Sequence, residues 1–127
     1  MPAITTKDGH QIFFMASNVI AVTDHDLGTG EASTCVYGIA GGTVQLDMPA
    51  STFLESLDNK GAFIELTLLD GNPIWLNGSA VRSARQPEPG EYPVAAKSVA
   101  SVGGMNIALA IDPDSLIAML NAQGNRF

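Results

Sequence analysis

The chain has 127 residues, 46% of them apolar, and a net charge of −7 at pH 7. That length builds one compact core or two small lobes, not two comfortable independent domains. It holds no run approaching the ~20 apolar residues of a membrane span, the single Cys35 excludes an intramolecular disulfide and suits a reducing compartment, and the acidic field disfavours generic binding to phosphate backbones.

The N-terminus lacks a basic region leading into an apolar stretch and a cleavage site, so the expected chain starts at or near Met1 and stays in the cytoplasm. Strands are expected at 2–7 and 10–15, joined by a hairpin turn at Asp8-Gly9, whose residues both tolerate positive φ. A third strand covers Val19–Thr23, a polar loop tip runs from Asp24 to Gly30, and a strand over 33–40 turns at Gly41-Gly42. Val44, Leu46 and Met48 then alternate with polar residues, the period of a half-buried strand. Pro49 opens a helix with Ala50, Phe53, Leu54 and Leu57 on its buried stripe, and Asn59-Lys60-Gly61 is expected to end it.

The second half reads the same way. Strands at 62–69 and 73–77 flank Asp70-Gly71, and a third covers Val81–Arg85. Three prolines between Gln86 and Pro93 make an exposed loop. A strand over 94–102 turns at Gly103-Gly104 and returns through Ile107, Leu109 and Ile111. Asp112 is placed to cap a helix and Pro113 to occupy its first position; Leu116, Ile117 and Leu120 share a face, and Gly124 ends the run.

The likeness extends to register. Asp8-Gly9, Ile12, Ser17, Val19 and Gly41-Gly42 recur at an offset of 62 as Asp70-Gly71, Ile74, Ser79, Val81 and Gly103-Gly104. One inserted residue later, Val44, Leu46, Phe53, Leu54 and Leu57 recur at 63 as Ile107, Leu109, Leu116, Ile117 and Leu120. The expected fold is therefore α+β and mainly β: two tandem repeats, 1–61 and 62–127, each of four to five antiparallel strands followed by one helix, packed as a pseudo-dimer. A repeat of about 60 residues is marginal alone, so pairing of repeats is expected to supply stability.

The paired positions locate candidate surfaces. With Ile12 and Phe14 inward, Phe13 points to the other face of its strand, and so does its counterpart Trp75. Two large aromatics at equivalent outward positions mark a contact surface. Ala108 and Ala110 leave the last strand apolar on both faces, whereas Gln45 and Asp47 face outward in the first half, so the second half is expected to carry the subunit contact.

No catalytic or metal set assembles. Asp24-His25-Asp26 would alternate sides of an extended segment with no second His or Cys nearby, and His10 is a turn residue replaced by Asn72. Gly28-Thr29-Gly30 and Gly41-Gly42 lack the strand, helix and Lys of a phosphate loop, and Cys35 has neither base nor basic neighbour. No enzyme, cofactor or metal is expected.

The run Leu69-Asp70-Gly71-Asn72-Pro73-Ile74-Trp75-Leu76-Asn77, followed by Val81, Gly103-Gly104, an alternating strand and an acidic-start helix, resembles the small FlbD/SwrD-type flagellar regulatory proteins and related short bacterial and phage proteins. The resemblance implies a noncatalytic bacterial or phage regulatory, binding or assembly module, located in the virion or host cytoplasm if phage-encoded. From the paired positions, such a module is expected to act through protein contacts and self-association at Phe13, Trp75, Ala108 and Ala110, with an unidentified protein partner. The rival expectation is a single-stranded nucleic-acid binder. In element order alone the chain is similar to the transcriptional positive-cofactor, Whirly and Pur types, and contacts would then come from Phe13, Trp75, Arg82, Arg85 and Lys97.

Overall fold

The computed structural model describes residues 3–6, 8–26, 32–39, 42–69, 71–93 and 95–124. The chain is α+β and mainly β. Among the described residues, ten strands accompany two α-helices and three short 3-10 turns, and the last element is a helix. Two compact units divide the chain, Met1–Gly61 and Ala62–Phe127.

In the first unit, β1 (Ala3–Thr5) and β2 (Gln11–Phe13) form an antiparallel hairpin that sets Ala3 opposite Phe13 and Ile4 opposite Ile12. Its connection is wider than the two-residue Asp-Gly turn expected from sequence. Gly9 N–H donates to the Thr6 carbonyl at 3.0 Å, and Thr6 N–H donates to the His10 carbonyl at 2.7 Å. Gly9, at φ 91°, supplies the left-handed residue that closes a three-residue hairpin loop. Asp8 contributes its side chain, accepting from the Thr6 hydroxyl and pairing with His10 Nδ1 at 3.1 Å.

A 3-10 turn, Ala16–Asn18, leads to a meander of β3 (Ala21–Asp26), β4 (Ala32–Ile39) and β5 (Gly42–Leu46), with β4 in the middle. The register aligns Val22, Val36 and Val44, all buried. β3 runs through Asp26, so Asp24-His25-Asp26 is strand and not the start of a loop tip. Cross-strand pairing with Thr34, Ser33 and Ala32 overrides the turn preference of the acids. Leu27–Gly30 and Gly41, also expected in turns, lie outside the described residues. The β4–β5 register shifts between Tyr37 and Ile39, where Gly38 has φ 102° and a Cβ would run into the Asn18 carbonyl.

Helix α1 (Ala50–Glu55) buries Ala50, Phe53 and Leu54, and the Phe53 ring packs on Phe14 with centroids 6.0 Å apart. It is shorter than its apolar stripe suggests. Ser56 Oγ donates to the Phe53 carbonyl at 2.5 Å, a local alternative to another helical turn. Leu57 is buried beyond the helix, and Asn59-Lys60-Gly61 is not its terminator.

In the second unit, β6 (Phe63–Thr67) pairs antiparallel with β7 (Pro73–Asn77), burying Ile64, Leu66, Ile74 and Leu76 and setting Glu65 opposite Trp75. Gly71 N–H closes the connecting turn on the Leu68 carbonyl at 3.0 Å; Asp70 lies outside the described residues. Asn77 is buried and its Oδ1 accepts from Ser79 N–H at 3.0 Å, capping the 3-10 turn Gly78–Ala80. At the corresponding place in the first unit, Met15 offers no side-chain cap and stands exposed.

β8 (Val81–Arg85), β9 (Ser98–Val102) and β10 (Met105–Leu109) form a three-stranded antiparallel sheet with β9 central. Two-sided burial was expected in the Ile107–Ile111 strand. It occurs instead in β9, where Ser98, Val99, Ala100 and Val102 are buried; the side chains of a central strand are flanked on each face by those of two neighbouring strands, and those of an edge strand by one. β10 ends at Leu109, which leaves Ala110 and Ile111 in the connection to α2 (Pro113–Ala122). That helix starts as expected. Asp112 accepts from Ser115 N–H at 3.1 Å and from Ser115 Oγ at 2.8 Å, Pro113 occupies the first turn, and Leu116 and Leu120 are fully buried. The Ser115 hydroxyl bond, followed by the Ser115 amide, holds the Asp112 carboxyl below its ordinary pKa.

Candidate interaction surface

The β1–β2 hairpin buries Ile4 and places Phe13 on the opposite face, 64% exposed. Met15 follows two residues later in extended backbone and is 54% exposed. The strand period therefore sends both side chains the same way, and the residue across from Phe13 is the small Ala3. No charged residue occurs from Gln11 to Thr23, so this segment brings no charge to the face in an acidic chain.

The other expected contact residues occupy different settings. Trp75 is half-buried beside Glu65, so it does not repeat the exposure of Phe13. Ala108 is half-buried and pairs with Val99 of β9. Ala110 is exposed beyond the strand end, and its N–H donates to the Thr67 carbonyl at 3.3 Å.

The basic trio separates by role. Arg82 is exposed at a register shift between β8 and β9. Arg85 forms a two-pronged ion pair with Glu91, Nη1 to Oε1 and Nη2 to Oε2, each 2.8 Å. This fork, with a further bond from the Glu88 amide, pushes the Glu91 pKa down to about 2. Glu91 N–H returns a 3.0 Å bond to the Glu88 carbonyl, so the ion pair clamps the proline-rich loop onto β8. Lys97 is exposed and lines a groove that takes in neither Arg82 nor Arg85.

That groove, about 410 Å³, is the other feature of the surface. It is lined by Glu65, Leu66 and Thr67 of β6, by Ala110 and Ile111 of the connection to α2, and by Met119 of α2. Lys97 and Asp112 also line it and attract each other electrostatically. Of these residues the sequence marked only Lys97 and Ala110 as contacts; Ile111 and Asp112 were legible as strand and cap positions. Met119 follows Leu116 by three residues on α2, the spacing that flanks a buried stripe; the β6 residues carried no such signal.

Among the described residues, no group of three or more His, Cys, Asp or Glu side chains converges as a metal site. Cys35 is a buried free thiol in β4, and no described helix is long and apolar enough to cross a membrane. Comparison with known proteins gave no matching family model, no matching curated protein and no matching solved structure.

Proposed function

We propose that the chain is a noncatalytic binding and assembly module, of the bacterial or phage regulatory kind, that works by self-association and protein contact. The observation that carries this reading is the pair Phe13 and Met15, both large, apolar and more than half exposed within an uncharged segment. Water contact at such a face is unfavourable by ~25 cal/mol per Å² of apolar surface, and covering it against protein recovers that free energy. We further propose that the units are two copies of one module. In support, the 3-10 turns Ala16–Asn18 and Gly78–Ala80 differ by 62, while β5 and β10, and the starts of α1 and α2, differ by 63.

The Arg85–Glu91 fork counts against the nucleic-acid alternative, because a guanidinium held by a carboxylate is not available to a phosphate without breaking that pair. Sedimentation velocity over a wide concentration range tests the main reading. The wild-type chain is expected to associate, and Phe13→Ser with Met15→Ser to remain monomeric. A wild-type chain monomeric at every concentration overturns the reading, and a salt-dependent change in Trp75 fluorescence on adding an oligonucleotide favours the alternative.

A further inference from the structure

The groove in the second unit lies beside a strand edge with unused hydrogen-bonding capacity. β6 pairs with β7 on one side. On its other side the Thr67 carbonyl accepts from Ala110 N–H, and the Phe63 carbonyl accepts from Gln123 Nε2 at 3.2 Å. Backbone groups on an antiparallel strand alternate sides with a period of two residues, so Glu65, midway between these two, directs its N–H and C=O toward the same side. No described backbone pairs with them there, and Glu65 lines the groove. The site thus combines one unpaired position on a strand edge, Glu65, with apolar lining from Leu66, Ile111 and Met119.

The first unit carries a matching edge. Thr6 N–H bonds to the His10 carbonyl, which makes Ile4 and Ile12 the next hydrogen-bonded pair and turns the backbone groups of Gln11 and Phe13 away from β1. No described strand pairs with that second edge of β2. The segment Gln11–Met15 is uncharged, so it approaches a lining that includes Glu65 and Asp112 without like-charge repulsion, which an acidic segment of this −7 chain would meet.

We propose that the groove of the second unit receives the Phe13 strand of another copy, so that copies join head to tail. The inference rests on the self-association reading and names the surface that receives Phe13. Phe13 of one copy enters the groove of the next, its backbone bonding to the N–H and C=O of Glu65 between the occupied Phe63 and Thr67 positions, while its ring packs against Ala110, Ile111 and Met119. Such a contact is heterologous: each copy offers one strand and one groove, and the assembly continues as a ring or a chain.

The test is complementation. A strand-deficient variant, Phe13→Ser with Met15→Ser, and a groove-blocked variant, Ala110→Arg, are each expected to sediment as monomers where the wild type associates. Mixed in equal amounts they are expected to form a heterodimer and nothing larger, because one partner retains only its groove and the other only its strand. If wild type associates and Ala110→Arg associates equally well, the groove is not the receiver, although self-association stands. Monomers in the mixture, or species beyond the dimer, also overturn the proposal; a monomeric wild type removes the underlying reading as well. A photo-cross-linking residue at position 13 of the otherwise unchanged chain provides a readout independent of any groove variant. Products joining position 13 to the Ala110–Met119 segment support the proposal, and products confined to Gln11–Met15 of the other copy, or no product between copies, refute it.

Discussion

Replacing Phe13 by Ala separates a contact residue from a core residue, since the structure assigns different magnitudes to its two roles. Complete burial of a phenylalanine is worth about 1.5–3 kcal/mol. Phe13 remains 64% exposed in the chain. The third already covered corresponds to roughly 0.5–1 kcal/mol of fold stability, and the remainder offers about 1–2 kcal/mol to a partner. At 1.4 kcal/mol per decade, losing that contact weakens association about 5- to 30-fold. Phe53 provides the contrast: fully buried against Phe14, its truncation to Ala is expected to cost about 3–5 kcal/mol. Urea unfolding followed by Trp75 fluorescence measures the stability side, and sedimentation equilibrium measures association. The reasoning is refuted if Phe13→Ala lowers unfolding stability as much as Phe53→Ala while leaving association unchanged.

Other positions give independent tests. Gly38→Ala is expected to cost more than the ~1–2 kcal/mol of a left-handed non-glycine residue, because the added Cβ also meets the Asn18 carbonyl. Gly9→Ala, with no atom within 4 Å of the new Cβ, carries only the backbone penalty; equal urea midpoints for the two variants contradict the packing described around Gly38. Leu116→Ala in α2 is expected to destabilise by about 2–5 kcal/mol and half-buried Ile117→Ala by less, an order checked in the same unfolding assay. Glu91 has a folded pKa depressed from 4.5 to about 2, so the stabilisation of its loop is present above pH 4.5 and is lost as pH falls through about 2. The Glu88 amide chemical shift, which reports its 2.9 Å bond to Glu91 Oε1, should move through that window in wild type and show no such step in Glu91→Gln.

Local patterns revealed much of the fold. Outward Phe13 follows from strand alternation once Phe14 is buried, and the start of α2 follows from Asp112-Pro113 with Ser115 two residues on, because a capping contact depends on near neighbours. Where strand pairing competed with local preference, the sequence was a poorer guide. Asp24-His25-Asp26 has turn composition yet joins β3 because β4 provides partners, and the short α1 ends where Ser56 captures a carbonyl. Equivalent positions also diverged: Phe13 is exposed while Trp75 is half-buried, and Asn77 caps a turn while Met15 meets solvent. Arg85 was legible as a cation but not as one already paired, since Glu91 reaches it only after the proline-rich loop folds back.

By itself, the sequence determined the mainly β character, the principal turn and helix positions, and an aromatic directed away from its own core, because these depend on short-range periodicity and backbone chemistry. Tertiary structure alone decided how exposed that aromatic remains, which cation is occupied, and that Glu65 lines a groove of mixed polar and apolar character, because each depends on which distant segments lie beside the residue.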